Sequence, residues 1–458
     1  MRNNIIRLGI LGTLILLCIW QTTLLWLGNM PSHNFLSHAS YEGVTQPKEI
    51  WVNKSGLAYK IEGDNQDDRL SLITEVTYEI KRGNVKLEEE TKYTYEQLLL
   101  TEGVIYEYGM PLSLEEIVGS SIEREMNKES IDKVSTLYVD VSEGGSYKTY
   151  VYLINPEFEV THRLTINNQL MLHMKSVSSY SDEDVTEYAK AYQASLLDSN
   201  ANWKLRGNVF LPQNNQNNPI TYPALMLEAI IEGDRDEALR KNLEVYVNDL
   251  FKNPIYKQIS YQSDSIIFSD NLNLNIRYSK KGTLEFKRNV TKDVAKLSSI
   301  EKINKINNFI EESQAIPDFL KQGVYLVDIT NNNDTDETTY HFGYRYNNFQ
   351  MRLTKAVKEE LKLDNFLVLV IKGNQITYGK WLMLEPQSVK PKRTLVLTKE
   401  AMTASNDIYD LCQISHEEDR PLSELECAYI VEDVDKGIAF DWAALYKGKW
   451  YALSRSID

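Results

Sequence analysis

The stretch SIIFSDNLNLNIRYSKKGTLEFKR, Ser265 to Arg288, decides the fold. It reads as three strands in close succession, SIIFSD, LNLNIRYS and GTLEFKR, rich in β-branched and aromatic residues. Strands connected this tightly pair as antiparallel hairpins. On its N-terminal side, Asp234 to Leu250 reads as a helix that places Leu239, Leu243, Tyr246, Val247 and Leu250 on one face. That spacing buries an apolar stripe against a sheet.

The same order, a helix and then several hairpin-connected strands, returns downstream. A helix around Asp293 to Glu311 carries Leu297, Ile300, Ile303, Ile306 and Ile310, and strands follow at GVYLVDI, TYHFGYRY, NFLVLVIKG and QITYGKWLML. A further helix near Lys399 to Leu411 leads into the closing run CAYIVEDVDKGIAFDWAALYKGKWYAL. Upstream, between Lys48 and Ile154, the runs EIWVN, GLAYKIE, SLITEVTYEIK, VIYEY, STLYVDV and TYVYLI read as strands. Short helices interrupt them at YTYEQLLL and SLEEIVG, the second beginning at Ser113, which forms a capping box with Glu116. A helix from Asp182 to Leu197 starts the unit after that. The fold class is therefore α+β: a β-rich domain at 47–165, then two α+β domains of related plan at 166–290 and 291–458.

The segment before Pro47 differs in kind. Residues 8–27 are uncharged and, at about 1.5 Å per residue, reach roughly 30 Å, a bilayer's hydrocarbon thickness. Arg2 and Arg7 precede this run and the next Lys or Arg is Lys48, which leaves residues 1–7 in the cytoplasm and everything after Gly28 outside. A cleaved export signal is the rival, with Ser37 and Ala39 as its site, but the apolar core is too long and the site too distant. Residues 28–46 lack periodicity and read as a juxtamembrane linker.

The formal charge of −15 and a sequence pI near 5.1 argue against nucleic-acid and anionic-lipid partners, because an acidic surface repels both. Cys412 and Cys427 are the cysteines outside the membrane segment. Two thiols in so long a chain ordinarily stay unbridged; a disulfide between them is the alternative.

A search for chemistry finds no nucleophile elbow, no zinc-protease helix, no serine–lysine motif and no phosphate-cradling glycine loop. The expectation is a protein without catalytic residues, cofactor or bound metal. EGGS, Glu143 to Ser146, reads as a hairpin turn, NNNDTDE, Asn331 to Glu337, as a polar loop and KLEEETK, Lys86 to Lys92, as a solvated charge run. The one pointed local geometry is HRLTINNQLMLH. A two-residue turn at Asn167 and Asn168 would face Leu164 with Met171 and His162 with His173, the imidazoles about 5 Å apart at Cβ. That pair is half of a metal site at most, and a partly solvated cross-strand pair is the plainer reading.

Several segments in this order, PKEIWVNKSG at 47–56, EQLLLTEGVIYEYGMPLSLEEIVG at 96–119, STLYVDV at 135–141 and IIFSDNLNLNIRYSKKGTLEFKR at 266–288, follow one membrane helix and a short linker. This arrangement resembles the YycH family of accessory proteins in low-GC Gram-positive bacteria, and the resemblance covers nearly the whole chain. It implies three extracellular domains, the later two similar to each other and to the ectodomain of the companion protein YycI. It also implies partners: YycI and the sensor histidine kinase WalK, also called YycG, which governs cell-wall metabolism. No catalytic residues carry over. Members of that family both restrain and support the kinase, so the sign of regulation is not implied.

Plotted at 100° per residue, Gly9, Gly12, Thr13 and Thr23 fall within an arc of about 100°, with Leu16 and Trp20 between them, and Gln21 adds a polar group that lipid cannot satisfy. Such a stripe lets another helix approach closely. Equally, Gly and Thr are common in membrane helices, and Gln21 can reach the headgroups. The resemblance, which places regulation in helix contacts, favours the partner-binding face. An exported wall-active hydrolase or hydrolase inhibitor, and an extracellular ligand sensor, are the alternatives from other classes.

Overall fold

The computed structural model describes residues 45–456 apart from breaks, the longest at 120–132, 141–147, 167–184, 191–209, 213–219 and 413–423. The expected membrane helix at 8–27 and most of the linker lie outside the described residues. Among the described residues, no helix is long and apolar enough to cross a membrane.

The first part of the chain builds a nine-stranded antiparallel sheet from β1 (Glu49–Lys54), β2 (Leu57–Ile61), β3 (Val85–Glu88), β4 (Gly103–Leu112), β5 (Val134–Asp140), β6 (Thr149–Ile154), β7 (Val160–Ile166), β8 (Val185–Lys190) and β9 (Phe210–Pro212). Their order is β3-β7-β6-β5-β4-β1-β2-β8-β9. Among the described residues, three helices accompany it: α1 (Asp67–Lys81), α2 (Tyr95–Leu98) and α3 (Leu114–Val118). Ser113 caps α3 in the expected capping box with Glu116, and Gly119 ends the helix in the left-handed conformation at φ 67°.

Two expectations fail here. SLITEVTYEIK is helical, not extended: it forms most of α1, whose Leu72, Ile73, Val76, Thr77 and Ile80 are all buried. The buried spacing is that of a helix face, which packs against α3 and β7, and this overrides the strand preference of its β-branched residues. Conversely, Val185 to Lys190 lies within the helix expected at 182–197 but is strand β8, because β2 offers it an open edge on which Tyr188 faces Ala58. The charge run at 86–92 also begins in a strand, β3, which pairs with β7.

The second part contains β10 (Ile220–Pro223), β11 (Leu225–Ala229), α4 (Asp236–Val247), β12 (Gln258–Tyr261), β13 (Ser265–Ser269), β14 (Leu274–Ser279) and β15 (Thr283–Arg288). There follow α5 (Ser299–Glu312), α6 (Asp318–Gly323), β16 (Val324–Asn332), β17 (Glu337–Tyr346), β18 (Phe349–Leu353), α7 (Lys355–Leu361), β19 (Leu367–Lys372) and β20 (Gln375–Leu382). The chain closes with β21 (Leu384–Ser388), β22 (Thr394–Leu397), α8 (Ala401–Leu411), β23 (Glu424–Val431), β24 (Gly437–Tyr446), β25 (Lys449–Ala452) and β26 (Arg455–Ser456). The opening stretch is an antiparallel trio, β13 to β15, with Ile266 facing Tyr278 and Ile276 facing Phe286.

One fifteen-stranded sheet runs along β12-β13-β14-β15-β20-β19-β17-β18-β23-β24-β11-β21, with β16 added on β17 and β25 and β26 beyond β24. Its β18–β23 pair is parallel, Gln350 facing Ala428. Helix α4 buries Leu243 and Val247, and α5, capped by Ser298 with Glu301, buries Ile303, Ile306 and Ile310. Each such side chain contributes about 1.5–3 kcal/mol when fully withdrawn from water. Backbone pairing therefore crosses both internal boundaries expected from the sequence: β8 and β9 extend the first sheet past 165, and β15 pairs with β20 across 290.

The two sheets meet where β16 packs on β4, and where Asn304 of α5 donates through Nδ2 to the Gly119 carbonyl at 2.7 Å. At this seam the chain coming from the linker enters the fold.

Candidate functional site

Residues 45–49 are held from both sheets at once. From the first, the Glu116 carbonyl accepts from Thr45 Oγ1 at 2.9 Å and the Ile117 carbonyl accepts from the Thr45 N–H at 3.2 Å. From the second, Arg345 of β17 donates through Nη1 to the carbonyls of Pro47 and of Lys48, the latter at 2.8 Å. Burial of Arg345 pushes its guanidinium down to about 10, with Tyr325 and Glu49 opposing. A buried guanidinium is costly unless hydrogen-bonded, and these two carbonyls offset part of that cost, while Arg345 Nε and Nη2 are buried without a hydrogen-bond partner.

Lys48 extends the grip. Its Nζ lies 2.7 Å from Glu424 and 3.9 Å from Glu426, both on β23. Burial pulls the Lys48 ammonium down, but Glu424, Glu426 and Glu49 more than offset that and hold it above the ordinary lysine value. Glu426 Oε1 accepts from Arg352 of β18 at Nε, 2.8 Å, and at Nη2, 2.6 Å. Burial pushes the Glu426 carboxyl up, against the pull of Arg352 and Lys48. The Arg352 guanidinium in turn lies over the Trp450 ring, 3.1 Å from its centroid.

A neutral branch completes the network. Tyr325 of β16 donates through its hydroxyl to Gln350 Oε1, and Gln350 Nε2 donates to Glu49 Oε1 at 3.3 Å. The Tyr325 ring fits because glycines flank it: a Cβ on Gly109 would meet the ring at 3.1 Å, and one on Gly343 would meet it at 2.6 Å. Beside it is a cavity of about 290 Å³ whose walls include Lys48, Arg352, Lys358, Asp364 and Trp450. Acids and bases here engage each other, so the arrangement fixes position and charge at the point where the linker joins the fold.

Tyr325 supplies a pH test. Burial raises its phenol to about 12, partly opposed by Arg352 and Lys48, whereas an unfolded tyrosine ionises at about 10. Its share of stability is intact below about pH 10 and is lost as the pH rises towards 12. Urea unfolding of the native protein and of Tyr325→Phe is expected to show a shallower decline in the variant across that interval; parallel curves would exclude this role.

The residues singled out from sequence fall elsewhere. Gly9, Gly12, Thr13, Trp20, Gln21 and Thr23 lie outside the described residues, as does the EGGS turn. His162 is half-buried in β7, facing Leu153 of β6, and its Nδ1 is buried without a hydrogen-bond partner. His173 lies outside the described residues. The ladder that would align the two histidines does not form at Leu164, whose two neighbours are Leu87 and Val151, because β3 and β6 occupy both edges of β7 there. Among the described residues, no group of three His, Cys, Asp or Glu is arranged to hold a metal ion. Cys412 at the end of α8 and Cys427 in β23 are both thiols, so the alternative of a bridge between them is not realised. NNNDTDE is a loop only in its middle: Asn331 and Asn332 end β16 and Glu337 begins β17, Asn332 facing Glu337, with Asp336 at φ 53° in the turn between them.

The clamp residues, Lys48, Arg345, Arg352, Glu424 and Glu426, were not found from the sequence. For Arg352, Glu424 and Glu426 the signal was a charged residue inside a largely apolar strand, FQMRL or ELECAYIV; Lys48 precedes β1 and Arg345 lies in the more polar ETTYHFGYRY, so neither carried it.

No protein-family model and no curated protein matches the chain. Among solved structures, it is similar to YycH from Bacillus subtilis with a TM-score of 0.54 and 11% identity, over 90% of this chain and 96% of that one. An uncharacterized protein from Eubacterium rectale aligns over 51% of this chain and 78% of its own, with a TM-score of 0.34 and 12% identity, too low to carry an argument. A likeness at so low an identity is one of backbone architecture, and what it establishes is that this chain has the YycH fold.

Proposed function

We propose that this protein is a membrane-anchored, extracellular regulator of a sensor histidine kinase of the WalK/YycG type, acting together with a YycI-like membrane protein in the control of cell-wall metabolism. The observation that carries the reading is the YycH fold, matched over nearly the full length of both chains. The uncharged run at 8–27 and the basic residues before it support a single-pass anchor with the N-terminus inside. The clamp on residues 45–49 supports a defined point of entry, because it fixes where the chain leaving the linker joins the folded domains.

In this reading the anchor's small-residue face, Gly9, Gly12, Thr13, Trp20, Gln21 and Thr23, touches the neighbouring helices, where close backbone approach and hydroxyl bonds replace the hydrophobic effect. Replacing Gly9, Gly12 and Thr13 together by Leu is expected to reduce crosslinking of the intact protein to the kinase in membranes by about tenfold, the equivalent of one or two interhelical contacts. Unchanged crosslinking together with unchanged kinase-dependent reporter output would remove the helix from the mechanism.

A further inference from the structure

Beyond α4 the chain makes a projecting tip. Phe251 is buried and roots it; Pro254–Tyr256 forms a 3-10 turn with Pro at its first position, and Asn253 Oδ1 accepts from the Ile255 N–H at 3.2 Å. The turn is tied back to α4 by Lys257, whose Nζ reaches Asn248 Oδ1 at 2.7 Å and Glu244 Oε1 at 3.1 Å. On this braced support Ile255 is 84% exposed and Tyr256 75% exposed. Val245, next to Glu244 on α4, is exposed as well.

The surrounding charge is mixed: Glu237 and Glu244 stand against Arg240, Lys241 and Lys257, and Lys252 is a further cation beside the turn. Glu244 is engaged by Arg240 and Lys257, and Asp249 accepts from Ser313 Oγ at 2.6 Å and from the Gln314 N–H at 3.0 Å. Lys252 and Lys241, both exposed, form no ion pair among the described residues. Lys241 lies one helical turn from Val245, on the same face of α4. Between Arg235 and Arg288 cations outnumber carboxylates, in a chain whose formal net charge is −15.

We infer that this tip, Ile255 and Tyr256 with Lys252 beside them, rests on an anionic phospholipid surface. The inference rests on the anchored reading above, in which a linker of residues 28–44 reaches up to about 60 Å and so allows this flank to lie on the bilayer. Apolar and aromatic side chains at a headgroup boundary with lysines beside them are the composition an interfacial contact takes. A protein partner fits less well: a stable interface buries about 800 Å² on each side, and the two exposed side chains of this short turn supply far less.

The test measures amide exchange across residues 252–261 of the full chain in nanodiscs of phosphatidylcholine alone and of phosphatidylcholine with phosphatidylglycerol. Expected is a slowing of roughly tenfold in the phosphatidylglycerol discs alone, abolished by the double variant Ile255→Ser, Tyr256→Ser with exchange elsewhere unchanged. Equal exchange in both discs, slowing that survives the variant, or slowing that requires two copies per disc would overturn the inference, the last in favour of a contact between copies. Insertion of residues 8–27 is read separately, from incorporation of the chain into the discs. A chain that stays outside them refutes the anchor; the tip must then still carry the wild type down with phosphatidylglycerol liposomes and the double variant must not, and failure to sediment overturns it.

Discussion

Glu426→Ala is expected to lower the free energy of unfolding by about 3–5 kcal/mol, because it leaves the buried Arg352 guanidinium without its hydrogen-bonded carboxylate. Lys48 keeps Glu424 at 2.7 Å, so the loss falls mainly on Arg352. Stacking on Trp450 does not replace the pair, because that contact is already made in the native protein and is not gained in the variant. Replacing both partners, Arg352→Met with Glu426→Leu, is expected to recover most of the loss, because neither buried charge is then left uncompensated. Urea titrations of Arg352→Met, Glu426→Leu and the double variant form the cycle that decides it. If the double variant is as unstable as the sum of the singles, the pair is not the source of the effect.

Gly109→Ala is expected to cost about 1–3 kcal/mol and to loosen the seam between the two sheets. A methyl group there would run into the Leu326 backbone carbonyl while also pressing the Tyr325 ring at 3.1 and 3.2 Å. A backbone carbonyl in a ladder cannot rotate away as a flexible side chain can, so β4 and β16 must separate or the Tyr325 hydroxyl must leave Gln350. Gly437→Ala is the control: a Cβ there meets nothing nearer than the Leu225 carbonyl at 3.7 Å, an ordinary contact, and its effect is expected within about 0.5 kcal/mol. Hydrogen exchange of β4 and β16 should rise together in the first variant and stay unchanged in the second. Local protection retained at both strands in Gly109→Ala would show that the seam accommodates the methyl group.

Much of the architecture was readable where one face of an element settles its type. The strands β13 to β15, the α4 and α5 stripes and the Ser113 cap were all legible, because alternation, helical spacing and capping are local properties of a few consecutive residues. The reading failed for α1, where β-branched residues mask a helical burial pattern. It failed again for β8, where an open edge on β2 imposes extension on a segment that looks helical. The histidine ladder failed for a related reason: local pairing across an Asn-Asn turn gave way to β3, which is far away in sequence.

The clamp shows the same division more sharply. Lys48, Arg345, Arg352 and Glu426 stand on four separate segments, and nothing local links a lysine at the end of a linker to a carboxylate near the C-terminus. What the amino-acid order determined by itself is the type of those elements whose buried face is set by a few consecutive residues, the net acidity of the chain and an uncharged run of bilayer length at 8–27. Tertiary structure decided which charges share a dry seam and which strand edges are filled. Those outcomes depend on desolvation and on pairing between distant segments, and both exist only once the sheets have come together.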